Sequence, residues 1–175
     1  MASHLRIEDA MILPARLDWP SAVGNFILEF GSMEWTLLAF LKQHLPMYEF
    51  KRVRDLHFKD RMSATSDYLN EEDYPLEVQE AFARFVEDIE PIRKLRNQLA
   101  HGHLTMIQDH AAASGETPSK VTLSLPRDLD RPYNAETWNM EFSELKKGLQ
   151  RLYELSGEMD RISKFEPETP NSNEP

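Results

Sequence analysis

Two stretches of this sequence repeat apolar residues in steps of three and four, and each begins with Asp, an aromatic residue and Pro. The first follows residues 18–20 (DWP) and the second follows residues 73–75 (DYP). An Asp at a helix start accepts hydrogen bonds from free backbone N–H groups, and Pro fits the first turn. Steps of three and four place apolar side chains on one face of a helix. The pattern therefore predicts two long amphipathic helices, which end near Leu45 and Gly102.

Two weaker helical patterns and one alternating segment complete the predicted fold. The helices are expected at Lys51 to Leu69 and from Ser143 onward, and residues 120–125 (KVTLSL) alternate like a β-strand. Segments 104–107 and 137–140 are its expected strand partners, and residues 108–118 are expected to form a polar loop. We predict a mainly all-α protein, a four-helix bundle with a small β-hairpin or loop insertion before the last helix.

Length and charge limit the class of protein. The 175 residues fit one domain, which we place at 18–165, with an N-terminal arm (1–17) and a disordered tail (166–175). The chain has no Cys, no apolar run near the ~20 residues of a membrane span, and no signal-peptide pattern at its start. A cytoplasmic protein without membrane contact is expected. The net charge of −10 argues against a surface that binds nucleic acid everywhere, but not against a local basic cleft.

Glu34 and Arg96 interrupt the apolar stripes of the two long helices. Each stands at a position where the period of three and four calls for an apolar residue. Because buried charges are normally paired, we expect the two side chains to meet. Two interpretations stay open. The pair is either a structural ion pair that fixes helix register, or part of a cleft in which Glu34 orients Arg96.

His101 and His103 follow Arg96 at the end of the second long helix. His101 lies five residues after Arg96, about 140° around a straight helix, whereas Asn97 and His101 are four apart and share a face. His103 would return to the face of Arg96 if the helix continued. A distortion at Gly102 would also bring His101 and Arg96 together. The alternative is that His101 only binds helix-end carbonyl groups.

The remaining His and Trp residues carry no recognisable pattern. No metal-ligand spacing, Gly-rich phosphate loop or nucleophile motif is present, so no metal or cofactor is expected. Four His residues are interpreted as surface residues, and all three Trp residues as packing anchors: His4, His44, His57 and His110; Trp19, Trp35 and Trp138.

Residues 96–101 (RNQLAH), followed by Gly102, match the Arg-x(4–6)-His motif of HEPN domains in its Arg-Asn-x-x-Ala-His-Gly form. Residues 24–41 (GNFILEFGSMEWTLLAFL) resemble the first long HEPN helix, in which an acidic residue faces the motif, and Glu34 fits that position. The order of elements also fits, and the resemblance covers about residues 20–165.

This resemblance implies a small helical bundle, usually a dimer, in which the motif helices of both copies line one cleft. Many HEPN domains are metal-independent endoribonucleases, often toxins or defence effectors, and others are non-catalytic dimerisation or partner-binding modules. It implies RNA, a second copy and an antitoxin protein as partners. His101, or alternatively His103, would act as general acid and base, Arg96 would hold the scissile phosphate, and Asn97 and Glu34 would orient them. The candidates for RNA-backbone contacts are Arg93, Lys94, Arg52 and Arg54.

Overall fold

The computed structural model describes residues 18–72, 74–101, 103–105, 120–126 and 135–165. They form five α-helices and three β-strands, in the order α1 (Trp19–His44), α2 (Met47–Arg54), α3 (Phe58–Glu71), α4 (Leu76–His101), β1 (His103–Thr105), β2 (Lys120–Pro126), β3 (Ala135–Glu141) and α5 (Phe142–Ser163). The predicted mainly helical fold with a small antiparallel sheet before the last helix is confirmed. The predicted arm, tail and 108–118 loop lie outside the described residues.

The single helix predicted from Lys51 to Leu69 is wrong, and the helix count rises from four to five. The backbone N–H of Leu56 donates to the carbonyl of Val53 at 3.1 Å, a tight turn that closes α2. His57 then has an extended backbone (φ −65°, ψ 155°), so the helical hydrogen-bond ladder does not continue into α3. Leu56 continues the apolar pattern of this segment but is 41% exposed, whereas Phe58 is buried.

The three strands form one antiparallel sheet with β2 in the centre. His103 pairs with Ser124 at one edge, and Lys120 pairs with Glu141 at the other. This is the predicted strand pairing. The backbone N–H of Glu141 donates to Glu144 at 2.9 Å, which satisfies a free donor where β3 passes into α5. The sheet therefore fills the connection between α4 and the closing helix.

The chain divides into two compact units, and the boundaries fall within α1, α4 and α5. Unit 1 comprises Met1–Ile27 and Lys94–Tyr153, and among its described residues Trp19 packs against Phe142 with ring centroids 5.0 Å apart. A Cβ atom added at Gly148 would lie 2.7 Å from Leu95 Cδ2 and 3.4 Å from Phe26 Cε2. Glycine therefore permits α5 to approach α1 and α4 within this unit.

Unit 2 comprises Leu28–Arg93 and Glu154–Pro175. Its aromatic side chains join α1 to α3: the Phe30 and Phe58 rings are 5.2 Å apart, and the Phe40 and Tyr68 rings are 6.1 Å apart. From the first contact to the second, the residue number rises along both helices. These parts of α1 and α3 therefore run in the same direction. Among the described helices, none is both long and apolar enough to cross a membrane.

Candidate functional site

The Arg-Asn-x-x-Ala-His motif occupies the last turns of α4, in unit 1. Leu99 is buried and anchors this end of the helix, while Arg96 and Asn97 are half-buried and His101 is exposed. The apolar face of α4 is thus buried. The polar motif residues lie at the edge of this face and at the end of the helix. The predicted helix end is confirmed at His101, whereas Gly102, predicted to cap it, lies outside the described residues.

Asn97 contacts Arg96 directly. The Arg96 Nη1 group donates a hydrogen bond to Asn97 Oδ1 at 3.3 Å. An Asn side chain carries an acceptor oxygen and a separate NH2 donor, so the oxygen can hold the guanidinium while the NH2 group serves another acceptor. Asn97 is therefore placed to fix the orientation of Arg96. The orientation of His101 by Asn97, which the resemblance implies, stays a prediction.

His101 lies on a different side of α4 from Arg96. The helix remains regular through His101, so the five-residue separation places the two side chains about 140° apart around its axis. The backbone of His103 opens β1 opposite Ser124, and its side chain lies outside the part of the chain that the structure describes. The choice between His101 and His103 as acid and base stays a prediction.

The carboxylate of Glu34 is engaged by Arg61, a residue that sequence reasoning missed. Arg61 Nη2 lies 3.3 Å from Glu34 Oε1, and the side chains of the two residues are 12% and 22% exposed. The sequence held a signal, since Arg61 stands three residues after Phe58 and four before Thr65, both buried. Glu34 belongs to unit 2 and Arg96 to unit 1, and the predicted contact between them stays a prediction.

Arg93 and Arg54, both candidates for RNA-backbone contacts, each have a carboxylate partner. Arg93 donates to Glu90 at 2.7 and 2.8 Å, and this hydrogen bonding raises the pKa of Arg93. Arg54 donates to Asp55 at 2.8 and 3.0 Å, which raises the pKa of Arg54 in the same way. Arg52 and Lys94 are exposed. The positive charge that Arg54 and Arg93 would offer to phosphate is therefore balanced locally.

His44 is half-buried in an aromatic cluster, and its interpretation as a surface residue is wrong. Its Nδ1 lies 3.3 Å from the hydroxyl of Tyr74, and its ring centroid lies 4.5 Å from that of Phe40. Burial raises the pKa of the neighbouring Tyr68, although a hydrogen bond with Tyr74 opposes this effect. His44 and Tyr68 line a groove of about 650 Å³ beside α2 and α3.

The candidate site is thus the end of α4 in unit 1. The Glu34–Arg61 pair belongs to unit 2. Over the ranges that the structure covers, no three His, Asp or Glu side chains are grouped as metal ligands. Arg96 and Asn97 can bind an anion together, and an exposed His101 can exchange protons with solvent or substrate. No protein-family model, no curated protein and no solved structure matches this chain.

Proposed function

We propose that this protein is a HEPN-type, metal-independent endoribonuclease that acts as a dimer with a composite Arg/His cleft, in a toxin or defence role. One observation carries the proposal: the last turns of α4 present Arg96, hydrogen-bonded to Asn97, and an exposed His101. A fixed guanidinium suits phosphate recognition, and an imidazole titrates in the pH range where RNA cleavage needs proton transfer. The motif and the element order resemble HEPN domains in the same region.

The proposed reaction cleaves RNA through its own 2′-hydroxyl. One imidazole removes the proton of this hydroxyl, and the oxygen attacks the neighbouring phosphorus. The bond from phosphorus to the 5′ oxygen breaks, and the imidazolium formed in the first step gives that oxygen its proton. The products are a 2′,3′-cyclic phosphate and a 5′-hydroxyl end. Arg96 stabilises the charge that develops on the phosphate oxygens, and Asn97 holds Arg96 in place.

The separation of Arg96 and His101 on α4 explains why the proposed reaction requires a dimer. The two side chains leave one helix about 140° apart, so a single copy presents them in different directions. A cleft between two motif helices can bring Arg96 of one copy and His101 of the other to one phosphate.

The second candidate is a non-catalytic HEPN module for dimerisation or partner binding. The Glu34–Arg61 pair favours it, because the acidic residue assigned by the resemblance to the motif has a cation from α3 as its partner. In this alternative the polar residues on the helix stripes fix helix register, and the chain does not cleave RNA. Arg96→Ala would then weaken folding or dimerisation only.

A cleavage assay with matched variants separates the two candidates. Structured and unstructured RNAs are incubated with the protein in a metal chelator, and the rate and end groups are measured. We expect Arg96→Ala and His101→Ala each to lower the rate by about 10²–10⁴-fold, the usual contribution of a positioned acid or base. His103→Ala decides which His acts. Arg84→Ala and His57→Ala, at exposed positions elsewhere, serve as controls at the parent rate.

Mixing the two inactive variants tests the composite cleft. A dimer of one Arg96→Ala copy and one His101→Ala copy contains one intact Arg/His pair if the pair is shared between copies. Random exchange should then restore about a quarter of the parent activity, since half of the dimers are mixed and each has one intact site. Cleavage that persists unchanged in either single variant contradicts the nuclease. A parent that cuts no RNA, together with an Arg96→Ala variant that is less stable or no longer dimeric, supports the module.

A further inference from the structure

The outward face of α1 carries two large apolar side chains that are exposed in the part of the chain that the structure describes. Leu28 is 74% exposed and Trp35 is 72% exposed, so the interpretation of Trp35 as a packing anchor is wrong. Single apolar residues at a surface are ordinary. These two, however, lie seven residues apart and therefore share one side of the helix.

The same face of α1 also has gaps beside the projecting side chains of Leu28 and Trp35. Gly31 lies between Leu28 and Trp35, and apart from its chain neighbours and the backbone of its own helix, no atom of the described residues lies within 4 Å of the position where its Cβ would be. A glycine in an exposed helix is unfavourable relative to alanine, yet it leaves a gap on this face. Next to Trp35, a groove of about 590 Å³ opens beside α2, lined by the apolar residues Leu38, Ala39 and Phe50 and, at polar positions, by Lys42, Gln43 and Arg54.

We infer that this face of α1 binds the same face of a second copy, with the two helices antiparallel across a two-fold axis near Gly31 and Ser32. An isologous contact requires one patch to be complementary to itself. Across such an axis, each residue of one copy meets the residue of the other copy that lies equally far on the opposite side of the axis. Trp35 of one copy therefore meets Leu28 of the other. The two smallest residues of the face, Gly31 and Ser32, then lie where the helix backbones come closest.

Charge and area both favour a second copy as the occupant. The chain carries a net charge of −10, so two copies repel each other wherever acidic surfaces meet. On α1, by contrast, the exposed residues from position 28 to position 39 are all uncharged: Leu28, Gly31, Ser32, Trp35 and Ala39. A buried aromatic side chain contributes roughly 150–250 Å², so two copies of Trp35 supply roughly a fifth to a third of a standard interface of about 1,600 Å².

The inference rests on α1 and not on ribonuclease activity. It names one contact between two copies, and this contact forms equally in a chain that cuts no RNA. Association and cleavage are therefore measured separately, and each result has its own meaning.

The first test is the association state of the full chain, measured by sedimentation velocity over a wide range of concentration. The parent protein should form a dimer, and Leu28→Glu or Trp35→Glu should raise its Kd by about a hundredfold or more, as for a central apolar contact. Leu76→Glu is the matched control, because Leu76 is 68% exposed on α4 and should leave the Kd unchanged. Thermal unfolding confirms that each variant is folded. A parent that is monomeric throughout, or a dimer that both α1 variants leave intact, overturns the inference.

A second set of variants tests the position of the axis. Gly31→Leu adds apolar surface but fills the gap, so it should weaken the dimer, whereas non-specific apolar association would strengthen it. The chain contains no Cys, so a single introduced thiol can be followed without background. Under mild oxidation Ser32→Cys should cross-link two copies, and Ala39→Cys, two turns further along the same face, should not. Equal cross-linking by both variants, or a stronger Gly31→Leu dimer, overturns the proposed arrangement.

Discussion

The carboxylate of Glu34 interrupts the apolar stripe of α1, and the guanidinium of Arg61 lies 3.3 Å from it. Neither side chain is fully buried, so the pair keeps some contact with solvent while most of its surface is covered. The hydroxyl of Thr65 donates to the carbonyl of Arg61 at 2.9 Å, which satisfies the polar atom of an otherwise apolar stripe of α3. The Glu34 carboxylate and the Thr65 hydroxyl therefore have specific partners, whereas the buried Arg61 Nε has none among the described residues.

A double-mutant cycle on Glu34 and Arg61 should show that the two side chains stabilise each other. We expect Glu34→Gln and Arg61→Met each to lower the free energy of unfolding by about 1–3 kcal/mol, because the partner is left behind in a covered position. The double variant should lose less than the sum, with a coupling of about 0.5–3 kcal/mol. Chemical denaturation measures all four proteins.

The exposed pair of Arg54 and Asp55 is the control for this cycle. Its side chains are 53% and 70% exposed, and exposed pairs contribute little because water screens them. A cycle on Arg54→Met and Asp55→Asn should give a coupling near the limit of detection. A Glu34–Arg61 coupling no larger than that of this control would mean that the ion pair does not stabilise the α1–α3 contact.

Asp18 should make the stability of α1 depend on pH. Its Oδ1 accepts a hydrogen bond from the Ser21 backbone N–H at 2.8 Å, and hydrogen bonds from the Ser21 side chain and backbone lower the pKa of Asp18 from its ordinary value of 3.8. A folded-state pKa below the unfolded one means that the stabilisation is complete above the unfolded pKa. It is lost as the pH falls through the folded pKa.

Thermal unfolding at a series of pH values tests this effect of Asp18. The parent should be more stable than Asp18→Ala near neutral pH, and the difference should shrink as the pH falls below about 3.8. Asp18→Asn, which can still cap the helix but does not titrate, should keep its advantage over Asp18→Ala at low pH. A difference between parent and Asp18→Ala that is constant with pH would contradict the assignment.

At the scale of the elements, α5 depends on Gly148 for its close approach within unit 1. Leu95, which the Cβ would meet at 2.7 Å, is the residue immediately before Arg96. Packing at this glycine therefore helps to set the position of the α4 end that carries the motif. The sheet contributes at the same end, since β1 begins two residues after His101.

Replacing Gly148 with Leu should destabilise the protein by about 1–3 kcal/mol, because extra methylene groups in a packed contact force neighbouring side chains to move. Gly157→Leu in the same helix is the matched control. No atom lies within 4 Å of its added Cβ, so this variant should lose less stability. Equal losses in the two variants, measured by chemical denaturation, would show that Gly148 is not a close-packing position.

At the scale of the whole molecule, charge limits how RNA can be held under the proposed function. The chain has 30 acidic and 20 basic residues, and Arg54 and Arg93 are already paired with carboxylates. Phosphate neutralisation dominates non-specific RNA affinity, so this surface does not favour broad RNA binding. The proposed substrate contact is therefore confined to the cleft around Arg96, where two copies add their charges.

Local sequence signals predicted much of the architecture. Helix starts, the end of α4 at His101 and the alternation of β2 depend on residues a few positions apart, where capping and periodicity act. The location of the Arg96–His101 motif at a helix end was predictable for the same reason. The break between α2 and α3 was not, because Leu56 continues the apolar pattern across a turn whose hydrogen bonds interrupt the helix.

What the sequence by itself determined is therefore the two long helices, the small sheet, the closing helix, their order, and the helix end on which the motif lies. The tertiary structure alone decided that Glu34 is engaged by Arg61, that His44 joins an aromatic cluster, and that Trp35 faces outward. Periodicity shows that one face of a helix is apolar, but it does not specify which other element covers that face. The contacting residues lie 24 to 30 positions apart in the sequence, as in His44 with Tyr68, Glu34 with Arg61, and His44 with Tyr74. Only the packing of the helices brings them together.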